Sequence, residues 1–253
     1  MDTPVINVAV FGAAGRMGRQ VCDAVQRADG MRVVARIDVD DDPKAALAAG
    51  ASVAVDFTNP DVVLANLEFC VGNGIHAVVG TSGFTPDRVA RVQGWLAEHP
   101  STGVLVAPNF SLGAVLMMKF AAQAAPLFES VEIIELHHPD KADAPSGTAQ
   151  RTAELVAEAR ARAGSAAFPD ATAHDADHHR GGTVQGVPVH SVRLCGLVAH
   201  QEVLLGAPGE TLTIRHDSLD RVSFMPGVVL GVRRVAQHPG LTVGLEHYLD
   251  EHE

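Results

Sequence analysis

The chain has 253 residues, of which 47% are apolar, and its formal net charge is −11 from 19 basic and 30 acidic side chains. Such an excess of negative charge repels phosphate backbones, so the composition argues against a nucleic-acid-binding protein. No apolar run approaches the roughly 18 to 20 residues of a membrane span, and the segment 5–11 is too short for a signal-peptide core. The sequence therefore predicts a cytoplasmic protein without a membrane partner, built from one large or two modest domains.

The first 108 residues alternate between short β-branched runs and segments with helical spacing or composition. Strands are predicted at 5–11, 31–38, 52–57, 75–80 and 103–107, and helices at 16–27, 43–49, 60–73 and 86–99. Strand–helix alternation is typical of a parallel sheet with helices on both faces, and such strands are almost wholly apolar, as these are. This half of the chain predicts an α/β, Rossmann-like unit.

The pattern changes after residue 108. A helix is predicted at 111–128, a strand at 131–137, a helix at 147–163 that ends at Gly164, a loop at 164–186, strands at 187–195, 200–206 and 210–216, and a helix at 223–237. Short turns separate the last three strands, which favours antiparallel pairing. This half therefore predicts an α+β unit with a mixed or antiparallel sheet.

Three cysteines, Cys22, Cys70 and Cys195, are far apart and have apolar neighbours. An odd number of scattered cysteines does not support a disulfide framework or a CxxC metal site. We expect three buried free thiols.

The first strand runs into the sequence VFGAAGRMGRQV, in which Gly12, Gly15 and Gly18 are spaced GxxGxxG ahead of a helix. Glycines let a backbone turn tightly and approach a pyrophosphate, while the helix N-terminus offers N–H donors. Asp38 ends the second predicted strand, where an acid can bind an adenosine ribose hydroxyl. The alternative is a glycine-rich turn and a surface aspartate, but the order of strand, loop, helix and acid favours a dinucleotide.

The form of the cofactor stays open. Asp38 favours the free 2′-hydroxyl of NADH, whereas Arg16 and Arg36 offer charge to the 2′-phosphate of NADPH. Two further loops, GTSGF (80–84) and APNFS (107–111), each follow a predicted strand. Because ligands of such sheets bind beyond the carboxyl ends of the strands, we expect both loops to border the nicotinamide, although each is also compatible with a plain turn and helix cap.

The segment HHPDKADAPSGTA joins two kinds of chemistry. His137 or His138 can donate a proton near neutral pH, and Lys141 adds a positive charge. Ser146 is a good N-cap, so the free N–H groups that follow it form an anion site suited to a carboxylate. A shared metal ion is disfavoured, since adjacent histidines on a strand point in different directions and no HExxH or cysteine partner is present. The sequence predicts no metal site.

Together the segments VAVFGAAGRMG, DFTNP, GTSGF, APNFS, ELHHPDKADAPSGTA and HDSLDRVSFMPG resemble the 4-hydroxy-tetrahydrodipicolinate reductase (dihydrodipicolinate reductase) family of bacterial lysine and diaminopimelate biosynthesis. The resemblance extends over nearly the whole chain, and the HHxxKxDAPSGT signature is specific, whereas the glycine loop is not. It implies a cytoplasmic homotetramer assembled through the sheet of the substrate domain. It also implies a dinucleotide-binding domain of residues 1–108 and 217–253, and a substrate-binding and tetramerisation domain of residues 109–216.

The resemblance further implies the roles of individual residues. His137 acts as proton donor and Lys141 as a second proton donor and charge partner, while substrate carboxylate binds to His138, Gly147 and Thr148. The cofactor contacts are assigned to Gly12, Ala13, Ala14, Gly15, Arg16, Met17, Asp38, Gly80, Thr81, Ser82, Ala107, Pro108, Asn109 and Phe110. Ser82 stands where the family more often has threonine, and it keeps the hydroxyl.

The implied reaction is hydride transfer from C4 of NADH or NADPH to a small dicarboxylate substrate, with loss of water and protonation of the adjacent carbon. Two other hypotheses are a non-catalytic NAD(P)-sensing regulator of the same fold and a metal-dependent hydrolase built on the histidines. The regulator has no need of a proton donor, so the HHxxKxDAPSGT segment favours the reductase.

Overall fold

The computed structural model describes residues 5–81 and 83–249, except for the side chain of His178. The chain divides into two compact units. One unit comprises the residues up to Phe110 together with those from Arg221 onward, and the other comprises Ser111–Asp220. In the described ranges, no helix combines the length and apolar character that a membrane crossing needs.

The first unit is built on a six-stranded parallel sheet. Its strands are β1 (Ile6–Phe11), β2 (Met31–Ile37), β3 (Val53–Asp56), β4 (His76–Val79), β5 (Gly103–Val106) and β11 (Gly240–Val243). Their order in the sheet is β11-β5-β4-β3-β1-β2. The strand order has a switch point between β1 and β3, because β2 lies on one side of β1 and β3, β4 and β5 follow on the other. Sheets of this kind bind ligands at such a switch point.

Helices connect these strands, which confirms the Rossmann-like α/β prediction. They are α1 (Arg16–Arg27), α2 (Lys44–Ala48), α3 (Val63–Gly72), α4 (Pro86–Glu98) and α7 (Met225–Arg234). Thr85 caps α4 by accepting a hydrogen bond from the backbone N–H of Arg88, and Pro86 occupies the first turn, where a missing N–H costs nothing.

The core of this unit lies on both faces of the sheet. Every residue of β3 and β5 is buried. One apolar cluster joins α3 and α4 to β4 and β5 through Leu67, Val92 and Val106, and another surrounds Phe11 and Ile75. Burial on both faces explains why the strands read as continuous apolar runs.

The second unit contains a five-stranded mixed sheet of order β10-β9-β6-β8-β7. Its strands are β6 (Ser130–His137), β7 (Gly182–Val184), β8 (Val187–Arg193), β9 (Ala199–Ala207) and β10 (Glu210–Ser218). The β6 and β8 strands are parallel, whereas the other neighbours are antiparallel. Alternate side chains of β6 are buried, including Val131, Ile133 and Glu135, because α5 (Leu112–Ala124) and α6 (Gly147–Ala163) pack against the sheet. A mixed sheet is one of the two predicted alternatives.

The ends of α6 follow local chemistry. The hydroxyl of Ser146 accepts a hydrogen bond from the N–H of Ala149 at 3.1 Å, and Gly164 ends the helix with a left-handed φ of 67°. Glycine is the residue that adopts this conformation without a Cβ penalty. The predicted N-cap and helix end are confirmed.

Several predicted elements were wrong or missing. The predicted loop 164–186 contains a short 3₁₀ helix, Ala176–His178, and the strand β7. Strand β11 was not predicted, because its four residues acquire strand structure only by pairing with β5. The predicted helices 111–128 and 223–237 are each shorter and flanked by 3₁₀ turns, at Ala125–Leu127 for the first, and at Arg221–Phe224 and Val235–Gln237 for the second. Cys22 and Cys70 are buried as expected, but Cys195 is exposed because it lies in the turn after β8.

Candidate active site

The glycine loop lies between β1 and α1. Gly12 has a left-handed φ of 75°, and a Cβ at this position would lie 2.9 Å from the carbonyl oxygen of Phe57. A Cβ on Gly18 would lie 2.0 Å from the carbonyl oxygen of Gly12, so the start of α1 packs directly on the loop backbone. Gly15 is the N-cap of α1 and supplies no side-chain acceptor. The helix therefore presents N–H groups that a pyrophosphate can accept from, and the glycines provide a cradle that side chains would fill.

Asp38 follows β2 and is tied to this loop. Its Oδ2 accepts a hydrogen bond from the backbone N–H of Ala14 at 2.5 Å. Its own N–H donates to Asp41 Oδ2 at 2.9 Å, and the N–H of Gly12 donates to the carbonyl of Ile37 at 2.8 Å. The acid predicted to meet a ribose therefore also holds the glycine loop in place.

A second group of loop residues surrounds Asp56, at the end of β3. This buried carboxylate accepts from the N–H and hydroxyl of Thr58 at 2.9 and 2.6 Å, from Asn66 Nδ2 at 2.8 Å and from the Thr81 hydroxyl at 3.0 Å. Asp56 thus joins the loop after β3 to the loop after β4.

The loop after β5 completes this edge of the sheet. The Phe110 ring lies 5.6 Å from the Phe57 ring between centroids. The Phe57 ring also covers Gly80, where a Cβ would lie 2.1 Å from a ring carbon. The N–H of Ala107 donates to the carbonyl of Val79 at 3.0 Å. Of the remaining residues predicted for these loops, Pro108 and Asn109 lie between Ala107 and Phe110, while Ser82 lies outside the described residues.

The segment predicted to donate a proton begins at the end of β6. The His137 ring is only 12% exposed, and its Nδ1 makes a short hydrogen bond to Glu135 Oε2. Glu135 is fully buried, and both of its oxygens accept from the guanidinium of Arg193, at 2.9 Å each. Because side chains alternate along a strand, Glu135 and His137 share one face of β6, and Arg193 pairs with His137 across the parallel strand β8.

Glu135 is ionised despite its burial. Desolvation alone raises the pKa of this carboxyl group, but hydrogen bonds from His137, Arg193 and Ser191 outweigh it and lower the pKa to about 2. An ionised carboxylate only accepts hydrogen bonds, so the bond to His137 places a proton on Nδ1. The Nε2 atom is then the nitrogen available for proton exchange with a ligand.

Lys141 is held by a second carboxylate. Its Nζ donates to Asp143 Oδ1 at 2.7 Å, and the ammonium group of Lys141 contributes to lowering the pKa of Asp143, against the raising effect of desolvation. The side chain of Lys141 is 20% exposed. The backbone carbonyl of Asp143 accepts from Arg193 Nη2 at 2.7 Å. One arginine therefore contacts the residues that hold both His137 and Lys141.

The half of the segment that is predicted to bind an anion is the start of α6. Ser146 caps this helix, and Gly147 and Thr148 form its first turn. The carbonyl of Thr148 accepts from the Thr152 hydroxyl at 2.7 Å, and that hydroxyl accepts from Gln201 Nε2 at 2.7 Å. The helix start is thus anchored to β9. His138 directly follows β6 and is half-buried. Across residues 5–81 and 83–249, no three His, Cys, Asp or Glu side chains are grouped as metal ligands.

Two family models match the chain in succession. The model described as "Dihydrodipicolinate reductase, N-terminus" covers residues 6–110, and the one described as "Dihydrodipicolinate reductase, C-terminus" covers residues 113–249. The chain belongs to the dihydrodipicolinate reductase family. This result confirms the family that the sequence motifs indicated.

Curated relatives and a solved structure agree with membership in the dihydrodipicolinate reductase family. Proteins named 4-hydroxy-tetrahydrodipicolinate reductase from Streptomyces avermitilis and Nocardia farcinica are each 62% identical over 245 residues, covering 97% of this chain and 98% and 99% of theirs. The dipicolinate-bound dihydrodipicolinate reductase from Paenisporosarcina sp. TG-14 is 36% identical, with a TM-score of 0.83 over 97% of this chain and 100% of that one.

The sequence analysis did not predict four residues whose side chains hold the candidate site residues in place: Asp56, Glu135, Asp143 and Arg193. Glu135 was detectable, because a strand period of two places it on the face of His137. Asp143 was also visible inside the signature itself. Asp56 was visible as the first residue of the DFTNP segment, whereas Arg193 carried no local signal, since it contacts residues that are distant in sequence.

Proposed function

We propose that this chain catalyses the NADH- or NADPH-dependent reduction of 4-hydroxy-tetrahydrodipicolinate to tetrahydrodipicolinate, with loss of water, in lysine and diaminopimelate biosynthesis. The observation that carries the proposal is the arrangement in the second unit, where a histidine held by a buried carboxylate is followed by a lysine and a helix N-terminus. Such a combination can donate a proton and bind carboxylates, and the proposed reaction requires both.

The first unit fits the cofactor. The glycine residues at the start of α1 leave backbone N–H groups for a pyrophosphate, and we assign this role to the segment 12–17. We assign the adenosine ribose to Asp38, whose Oδ1 accepts no hydrogen bond from the described residues. Gly80, Thr81 and Ser82, together with Ala107, Pro108, Asn109 and Phe110, are assigned to the nicotinamide. When bound, the reduced nicotinamide supplies the hydride.

The second unit fits a small dicarboxylate. We assign substrate carboxylate to the N–H of Gly147, to Thr148 and to His138, because a helix N-terminus favours negative charge. Lys141 adds a positive charge held in place by Asp143. The negative surface of the protein makes these local positive partners necessary for an anionic substrate.

The protonation step is assigned to His137. Reduction of a conjugated imine builds electron density on the substrate that a positioned acid must quench. Because Glu135 accepts from Nδ1, we assign proton transfer to Nε2. Lys141 is assigned as a second proton donor and charge partner. The predicted domains, 1–108 with 217–253 for the cofactor and 109–216 for the substrate, belong to this proposal.

A coupled assay tests the proposal. Freshly made aldol product of pyruvate and aspartate semialdehyde is supplied with NADH or NADPH, and the absorbance of the reduced nicotinamide is followed. We expect turnover by the wild type, and loss of turnover with retained cofactor binding in His137→Ala and Lys141→Ala. Normal turnover in both variants would contradict the assigned roles. Cofactor binding without any turnover by the wild type would instead indicate a regulator that senses NAD(P).

We further infer a homotetramer in the cytoplasm, formed through the sheet of the second unit. Strand β10 supports this inference, because it is an edge strand whose residues are largely exposed, including Leu212 at 39%. Light scattering coupled to size-exclusion chromatography tests it. A mass near that of one 26.5 kDa chain would contradict the tetramer.

A further inference from the structure

We propose that Glu135 and Arg193 are positioning residues that hold the proton donor His137 and the segment of Lys141 in one rigid frame. The proposal rests on the proposed function for the role of His137 and Lys141, and it adds two residues that bind neither substrate nor cofactor. In this frame, Glu135 selects the tautomer and the orientation of the His137 ring.

The orientation of the His137 ring follows from a single hydrogen bond. Glu135 Oε2 accepts from Nδ1, and an ionised carboxylate has no proton to give in return. The neutral ring is therefore the tautomer with hydrogen on Nδ1, and its Nε2 atom exchanges the proton. Histidine function depends on which ring nitrogen is committed to a supporting carboxylate.

Glu135 is itself immobilised. It has no exposed surface, and the guanidinium of Arg193 grips both of its oxygens at 2.9 Å. A two-point contact between planar groups fixes the carboxylate plane as well as its position. The parallel pairing of His137 with Arg193 brings the guanidinium to this place.

The same guanidinium extends the frame to Lys141. Arg193 Nη2 donates to the backbone carbonyl of Asp143 at 2.7 Å, while the side chain of Asp143 accepts from Lys141 Nζ at 2.7 Å. A network of hydrogen bonds therefore joins His137 to Lys141 through Glu135, Arg193 and Asp143. A salt bridge that only stabilised the fold would need Glu135 and Arg193 alone. This network instead ends at the two proposed proton donors.

The protein contains a matched control on the opposite face of β6. Glu132 accepts from His190 Nε2 at 2.6 Å and from Arg180 Nη2 at 2.6 Å, so it also joins one histidine and one arginine. This cluster contains none of the residues that we assign to substrate or cofactor. Glu132→Gln therefore removes a comparable charge from the same strand without touching His137.

The first experiment compares steady-state kinetics of Glu135→Gln, Arg193→Lys and Glu132→Gln. Loss of a carboxylate that orients a functional imidazole lowers activity by roughly 10-fold to 10,000-fold in other proteins. We expect Glu135→Gln to lower kcat by at least about 100-fold and to change the KM values by less than about 3-fold. Arg193→Lys breaks the two-point contact and should lower kcat by about 10-fold or more. Glu132→Gln should retain wild-type kcat.

A double variant separates positioning from stability. If Glu135 acts through His137, adding Glu135→Gln to His137→Ala should leave the residual kcat of His137→Ala unchanged, because residues that act as one unit are not additive. An independent further loss in the double variant would overturn the proposal. So would a Glu135→Gln enzyme with wild-type kcat.

The second experiment needs no variant at Glu135 and stands even if Glu135→Gln does not fold. Nitrogen NMR of ¹⁵N-histidine-labelled wild type, at alkaline pH, reports which nitrogen carries hydrogen, and His137→Ala identifies the signal among the 13 histidines. We expect hydrogen on Nδ1 of His137. Hydrogen on Nε2 would overturn the proposal, whereas absence of turnover in the wild type would count against the proposed function alone.

Discussion

The carboxylate of Asp38 accepts a hydrogen bond from the backbone N–H of Ala14 at 2.5 Å, and it thereby joins the end of β2 to the glycine loop. The bond crosses between two segments that the sequence separates by the whole of α1 and β2. It gives the acid a role in shaping the loop, in addition to the ribose contact assigned to it.

Replacing Asp38 by alanine should weaken NADH binding by about 10-fold to 100-fold, because hydrogen bonds to charged groups contribute about 1.5–3 kcal/mol. Asp38→Asn keeps an acceptor for Ala14 and should lose less. Titration calorimetry with NADH measures the dissociation constants. Asp40→Ala, an exposed neighbour, is the control, and equal affinity in Asp38→Ala and Asp40→Ala would refute the role of Asp38.

Gly18→Ala should disturb the glycine loop, because the added methyl group would lie 2.0 Å from the carbonyl oxygen of Gly12. Overpacking of this kind costs about 1–3 kcal/mol, and the displaced backbone should also bind NADH at least about 10-fold more weakly. Urea unfolding and cofactor titration are the measurements. Gly94→Ala is the control, because this glycine lies within α4 with nothing within 4 Å of its Cβ position. It should stabilise the protein by about 0.5–1 kcal/mol.

Asp56→Asn should lower the free energy of unfolding by about 1.5–3 kcal/mol, since a buried charged acceptor of four hydrogen bonds is replaced by a neutral group with one fewer acceptor atom. It should also raise the KM for the cofactor, because the hydroxyl of Thr81 loses its charged partner. Urea unfolding monitored by circular dichroism, together with kinetics, checks both effects. Asp61→Asn, which changes an exposed acid in the same loop, should behave as the wild type.

The stability that Glu135 provides should depend on pH in the acid range. The pKa of its carboxyl group falls from an ordinary 4.5 to about 2 in the folded chain, so the contribution is complete above about pH 4.5 and is lost as the pH falls towards 2. The pH-dependent part of the difference between wild type and Glu135→Gln should decrease from about 3 kcal/mol at pH 7 to about 1–2 kcal/mol at pH 3. Urea unfolding at these two pH values measures it, and a difference independent of pH would show that folding does not lower the pKa of Glu135.

Local patterns predicted much of this protein. The alternation of apolar strands and helices gave the parallel sheet, because burial on both faces leaves a continuous apolar signal. Ser146 and Gly164 predicted the ends of α6, since capping depends on neighbours within one turn. The HHxxKxDAPSGT signature indicated the candidate proton donors and the candidate anion site for the same reason: all of its parts lie in one short segment.

Long-range pairing was beyond such patterns. Strand β11 exists because four residues near the end of the chain pair with β5, and β7 exists because a polar segment pairs with β8. Both segments are too short to show a period of their own. The exposed position of Cys195 likewise depends on a turn between strands, which its apolar neighbours did not reveal.

The sequence by itself determined the class of fold, the family and the segment that carries the candidate acid, because these depend on residue order and local periodicity. Only the tertiary structure decided that Glu135 is buried against Arg193, and that this pair engages Nδ1 of His137 and not Nε2. The physical reason is that a hydrogen bond is a contact in space. The register of β6 against β8 brings Arg193 to His137, and nothing in either segment specifies the other.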